Sequence, residues 1–194
     1  MAQGNRIVNG PELRSWLAEP RTDLVAAVVE GIRQHVASLR QRGVDFYGYA
    51  LLTGEIYDLN FVAVVTNTEQ DVKVASTDDQ YRYYRYSVDT WAHWDQDALA
   101  GANQQLSEDN GKFASLHTKD ENNFRMDEFQ KSHAHRTLEA FVAGLEAVKN
   151  EGLFGEPSPF LVVWISDSNE EVMADSVRRL NSEEVADDFF RERW

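Results

Sequence analysis

The sequence contains no cysteine, which excludes disulfides, thiolate metal sites and a cysteine nucleophile together. Prolines number only four, and no stretch rich in proline, glycine and serine divides the 194 residues. The chain therefore reads as one domain over 1–194, with 1–20 as an accessory N-terminal segment. No apolar run approaches the ~18 residues that cross a bilayer, and Met1 to Arg6 lacks the apolar core of a secretion signal. A soluble, cytoplasmic protein is the expectation. The phosphate-cradling, dinucleotide-binding, nucleophile-elbow and zinc-protease motifs are all missing. Asp109-Asn110-Gly111 lacks the alternating oxygen ligands and closing glutamate of a calcium loop. No motif specifies a reaction, and none calls for a cofactor.

Positive charge is also scarce. Nineteen Lys and Arg face thirty-three Asp and Glu, a formal net charge of -14. The imbalance begins after residue 45: positions 1–45 carry six basic and five acidic residues, whereas 46–166 carry nine and nineteen. Such a surface repels nucleic acid and anionic membranes and attracts basic proteins, although an acidic composition also serves plain solubility.

What is present is organised around 46–94. Residues 46–53 (Phe46-Tyr47-Gly48-Tyr49-Ala50-Leu51-Leu52-Thr53) and 59–66 (Leu59 to Thr66) are apolar, aromatic and β-branched, and predict an antiparallel hairpin. Phe160-Leu161-Val162-Val163-Trp164-Ile165 is apolar throughout and predicts a strand over 160–166 buried on both faces. The tyrosine-rich run 81–86 has strand propensity and is expected as a fourth strand, with Ser87 capping a helix over 89–106. That helix would place Trp91, Trp94, Ala98, Ala102 and Leu106 on one stripe. Helical periodicity further predicts helices over 23–42, 126–150, 169–180 and 183–193, with Thr22 as a cap and Gly43 and Gly152 as stops. A Thr118–Glu121 capping box is expected inside a polar 107–123 loop. The fold class is α+β, a mainly antiparallel four-stranded sheet covered by helices.

Four tyrosines and two tryptophans fall within 81–94. Such rings most often form core; the sharper reading makes Tyr83, Arg85, Tyr86, Trp91 and Trp94 a partner-binding surface, with Asp167 as a further polar group. A competing arrangement is a small-ligand or enzymatic cleft using Tyr83, Arg85, His93 and Asp167 near the strand ends. His133 and His135 point opposite ways on a helix, so with His117 and Asp127 nearby in sequence they are not expected to share a metal ion.

Several pieces, taken in order, resemble a bacterial family catalogued as domain of unknown function four-three-zero-three. They are Phe46-Tyr47-Gly48-Tyr49-Ala50-Leu51, Asn67-Thr68-Glu69, Tyr84-Arg85-Tyr86-Ser87 followed by Trp91, Gly152-Leu153-Phe154-Gly155, and Ser166-Asp167-Ser168 with Leu180-Asn181. The resemblance implies a small soluble α+β protein with no catalytic residues to carry over. It also suggests a non-catalytic immunity role, in which the acidic surface neutralises a basic toxin.

Overall fold

In the computed structural model, residues 10–56, 59–118, 125–166, 168 and 171–193 are described. The apolar runs become the sheet. β1 (Gly48–Thr53) pairs antiparallel with β2 (Ala63–Asn67), joining Gly48 to Asn67 and Leu52 to Ala63. β4 (Phe160–Ile165) lies parallel to β1, with Gly48 opposite Phe160 and Thr53 opposite Ile165. β3 (His93–Asp95) closes the order β3-β2-β1-β4. The sheet is thus mixed, and the parallel neighbour β4 is reached by the long connection that a parallel pair needs. Every residue of β1, β2 and β4 is buried.

α2 (Thr22–Gln41) and α5 (Glu128–Asn150) pack on each other and cover the face carrying Tyr49, while α4 (Ala100–Leu116) packs on α2. Leu24, Val28, Ile32 and Val36 of α2 and Leu138, Phe141, Leu145 and Val148 of α5 are almost fully buried. Each such side chain contributes about 1.5–3 kcal/mol relative to exposure. α2 and α5 end near Gly43 and Gly152, both at positive φ. The opposite face, around Phe160, is covered by α3 (Tyr81–Tyr86), Trp91 and α7 (Glu183–Arg193). α1 (Pro11–Ala18) contributes Leu13 and Trp16 to a separate small cluster with Phe129.

Asparagine side chains finish the sheet. β4 is an edge strand, and α6 (Glu171–Leu180) lies along it. The Leu161 N–H donates to Asn181 Oδ1 at 2.9 Å and Asn181 Nδ2 donates to the Leu161 carbonyl at 2.8 Å. Ser176 Oγ accepts from the Val163 N–H at 3.1 Å. Asn103 of α4 does the same for Val62, accepting its N–H at 2.7 Å and donating to its carbonyl at 2.9 Å. Each amide substitutes for one residue of a missing strand, so buried backbone groups stay paired.

The sequence misplaced several elements. Residues 81–86 are a helix: Tyr84 N–H bonds the Gln80 carbonyl and Ser87 N–H the Tyr83 carbonyl. Strand propensity loses there because Tyr81 and Arg85, one turn apart, join at 2.9 Å and both reach Glu69. The expected helix over 89–106 begins only at Ala100. Its first part is the strand β3 and a turn in which Asp95 Oδ1 accepts the N–H groups of Asp97 and Ala98 at 3.0 and 2.9 Å. Ser87 instead precedes a single 3-10 turn, Val88–Thr90, and its side chain makes no cap bond. α4 instead runs on to Leu116, through most of the expected loop. β2 starts at Ala63 because Asn103 takes the backbone of Val62 and the Thr53 hydroxyl donates to the Phe61 carbonyl at 2.7 Å. Thr22 is the first helical residue of α2 and makes no cap bond. The 118–121 box falls largely outside the described residues; α5 is capped by Asp127, whose carboxylate accepts the N–H groups of Phe129 and Gln130, while Gln130 Oε1 accepts the Asp127 N–H.

Candidate functional site

The segment between β2 and α4 turns at Thr68–Asp71, and two neighbouring carboxylates there, Glu69 and Asp71, gather its polar side chains. Asp71 Oδ2 accepts from the Thr68 hydroxyl and lies 2.8 Å from His93 Nε2. Those two partners hold the Asp71 carboxyl below the ordinary carboxylate range. Glu69 accepts from Arg85 and from the Tyr81 hydroxyl. Burial presses the Arg85 guanidinium down, but Glu69 outweighs it and the net shift is upward. Arg85 also sits 4.2 Å from the centre of the Tyr47 ring.

The main-chain carbonyl of Arg85 takes two further donors, the Tyr47 hydroxyl and the Trp91 indole N–H, both at 3.1 Å. Asn67 Nδ2 donates to that Tyr47 hydroxyl at 2.9 Å, and burial pushes Tyr47 up to about 12. Trp91 lies directly over Gly48: a Cβ built there would meet the indole at 2.4 Å, so only glycine leaves room for the ring. Tyr86 is buried against Phe160 and Phe189, and its hydroxyl donates to Asp188 Oδ2 at 3.0 Å. Arg82 binds the other oxygen of Asp188 at 2.7 Å, which clips α7 to α3.

The aromatic cluster is therefore both core and surface. Trp91 and Tyr86 are core, and Arg85 is held by Glu69 and Tyr47. Tyr83 and Trp94 are each 46% exposed and are the large hydrophobic side chains left open among the described residues. Tyr83 stacks edge-on against Tyr84, with ring centres 5.2 Å apart, and Trp94 Nε1 is fixed to the Trp91 carbonyl at 3.2 Å. Both anchors belong to the segment 69–97, which carries seven acidic and three basic residues. Glu69, Asp78, Asp79, Asp89 and Asp97 are exposed.

Of the polar groups of the cleft reading, the three described ones, Tyr83, Arg85 and His93, do not come together in one groove. Arg85 lines a groove of about 600 Å³ beside Phe46, Tyr47 and Phe160, at the N-terminal ends of β1 and β4; Tyr83 and His93 do not line it. Asp167 lies outside the described residues. The histidines also separate. His133 is buried, its Nε2 2.8 Å from Asn110 Oδ1, whereas His135 is exposed. His117 Nε2 meets Asp127 Oδ2 at 2.7 Å. No group of three metal-ligating side chains occurs among the described residues, and no helix there is long and apolar enough to cross a membrane.

Sequence reasoning missed one buried polar cluster. Arg21 binds Asp109 and donates to Thr137 Oγ1 at 2.9 Å, while Arg136 donates to the Trp16 carbonyl at 2.6 Å. Phe113 is stacked between His133 and His117, at 4.4 and 4.7 Å. Burial first, then Arg21 and Arg136, push His133 down to about 3, so its ring is neutral. Asn110 Nδ2 donates to the Leu59 carbonyl at 2.9 Å, so its oxygen accepts and His133 carries its proton on Nε2. These partners lie far apart in sequence, and no local pattern announces them.

A family model described as a domain of unknown function (DUF4303) matches residues 28–182. No curated protein and no solved structure matches the chain.

Proposed function

For a chain that belongs to the DUF4303 family, whose description names no activity, we propose a non-catalytic protein-binding role directed at a basic partner. Toxin neutralisation is the form the immunity reading gives it. The observation that carries this is that Tyr83 and Trp94, both exposed, belong to one segment, 69–97, in which acidic residues outnumber basic ones. Tyrosine and tryptophan are favoured anchors of protein interfaces because they bury large areas with few rotatable bonds to freeze. Carboxylates around them raise the encounter rate with a basic protein and disfavour acidic ones. Arg85, Tyr86 and Trp91 hold that segment in place: Arg85 is bound by Glu69 and lies over the Tyr47 ring, Tyr86 is bound to Asp188 of α7, and Trp91 donates to the Arg85 carbonyl.

The test is site-specific photocrosslinking in the native host. Benzoylphenylalanine replaces Tyr83 or Trp94, and Glu12, exposed on α1, as the control. The proposal expects one basic polypeptide, a toxin under the immunity reading, crosslinked from positions 83 and 94 but not from 12. Equal crosslinking from all three positions, or an acidic partner, refutes it.

A further inference from the structure

β1 and β4 are the parallel pair, and their C-terminal ends open on a groove of about 580 Å³. The groove lies at the opposite end of the sheet from Arg85. Ile56, just beyond β1, Met126, and the buried Leu138 and Val172 provide its apolar part. Its charges are unevenly spent. Glu139 is bound by Arg179 at 2.9 Å, and Asp175 by Arg178 at 3.1 Å. Arg125, Lys131 and His135 also line it; Arg125 is already engaged, whereas Lys131 and His135 are exposed and pair with no carboxylate among the described residues. They stand four residues apart on α5 and so face the same way. Glu171 is the carboxylate of the groove that no cation among the described residues engages.

We propose that this groove binds a small amphiphilic anion: an apolar body against Ile56, Met126, Leu138 and Val172, with a carboxylate or phosphate head on Lys131 and His135. The volume falls within the ~300–1,000 Å³ of ordinary ligand clefts. Its place, beyond the carboxyl ends of parallel strands, is where α/β sheets bind ligands. Lys131 brings a cation and His135 an imidazole N–H to the rim of this apolar floor, in a chain of net charge -14. Glu171 disfavours a second negative group, which selects singly headed anions. The groove shares no residue with the 69–97 face, so the protein-binding reading and this one stand or fall separately.

Amide-resolved NMR titration of the full chain tests this, with octanoate and octyl phosphate as anions and octanol as the neutral control. Saturable shifts at Ile56, Lys131, His135, Leu138 and Val172 are expected with an anion and not with octanol; whichever anion binds tighter identifies the head group. Lys131 and His135 are exposed, so Lys131→Glu and His135→Glu leave the core intact, which circular dichroism verifies. Together they weaken anion binding by about tenfold or more. Equal affinity for octanol, shifts confined to other surfaces, or unchanged affinity in the double variant overturns the assignment.

Discussion

Replacing Asn181 with alanine opens the edge of the sheet. The side chain holds both backbone groups of Leu161, accepting its N–H at 2.9 Å and donating to its carbonyl at 2.8 Å, and Leu161 is fully buried. The same Nδ2 reaches the Val177 carbonyl at 2.9 Å, but that carbonyl keeps the Asn181 backbone N–H, so its loss matters little. Two buried polar groups are left without partners, each costing about 1–3 kcal/mol, hence about 2–6 kcal/mol in all. Against a total stability of about 5–15 kcal/mol that is a large share. The melting temperature should fall by about 4–24 °C, at about 2–4 °C per kcal/mol for a chain of this size. Urea unfolding followed by tryptophan fluorescence measures the loss, with an unchanged slope showing that the same surface is exposed. Asn181→Asp keeps the size and the acceptor but points a second oxygen at the Leu161 carbonyl, so it should be at least as damaging. A loss below about 0.5 kcal/mol for Asn181→Ala would mean that water satisfies the edge and that the asparagine is no strand substitute.

Ser176→Ala removes the partner of the buried Val163 N–H, and urea unfolding should show a loss of about 1–2 kcal/mol. Gly48→Ala places a methyl group 2.4 Å from Trp91; calorimetry should register about 1–3 kcal/mol of destabilisation and near-UV circular dichroism a moved indole. Arg85→Lys gives up the ring contact and part of the bonding to Glu69 and Tyr81, and thermal unfolding should show about 1 kcal/mol lost. His133 is lowered in the fold to about 3 from an ordinary 6.5. Its stabilising contribution is full above about pH 6.5 and declines as pH falls toward 3, because the unfolded chain then binds the extra proton. The slope is at most about 1.4 kcal/mol per pH unit. Urea unfolding between these limits should therefore show a shallower pH dependence in His133→Gln than in the native chain.

The strands with continuous apolar character, 48–53, 63–67 and 160–165, were legible because burial on both faces leaves no polar alternation to misread. α2 and α5 were legible through their helical period and their closing glycines. Tyr81 to Tyr86 was not, because its helix is set by Glu69 twelve to sixteen residues away and by Asp188 over a hundred away. β3 was hidden within a sequence of helical spacing: the Trp91 and Trp94 pair reads as a stripe, yet one ring packs on Gly48 and the other faces outward. The strand-completing roles of Asn103 and Asn181 were invisible for the same reason, since an asparagine in a helix or at its end carries no mark of the strand it will face. Of the candidate site, the sequence located the aromatic and arginine residues but could not divide core from surface, which depends on which of them the sheet covers.

The central claim, recognition of a basic partner by the exposed aromatics of the acidic segment 69–97, is tested most directly by stopped-flow binding of the crosslinked partner to the native chain and to Tyr83→Ala/Trp94→Ala. The account predicts that the native association rate falls about tenfold or more as salt rises from about 50 to 500 mM. It also predicts that the double variant keeps its association rate but dissociates at least about tenfold faster. A salt-independent association rate together with an unchanged dissociation rate would contradict it.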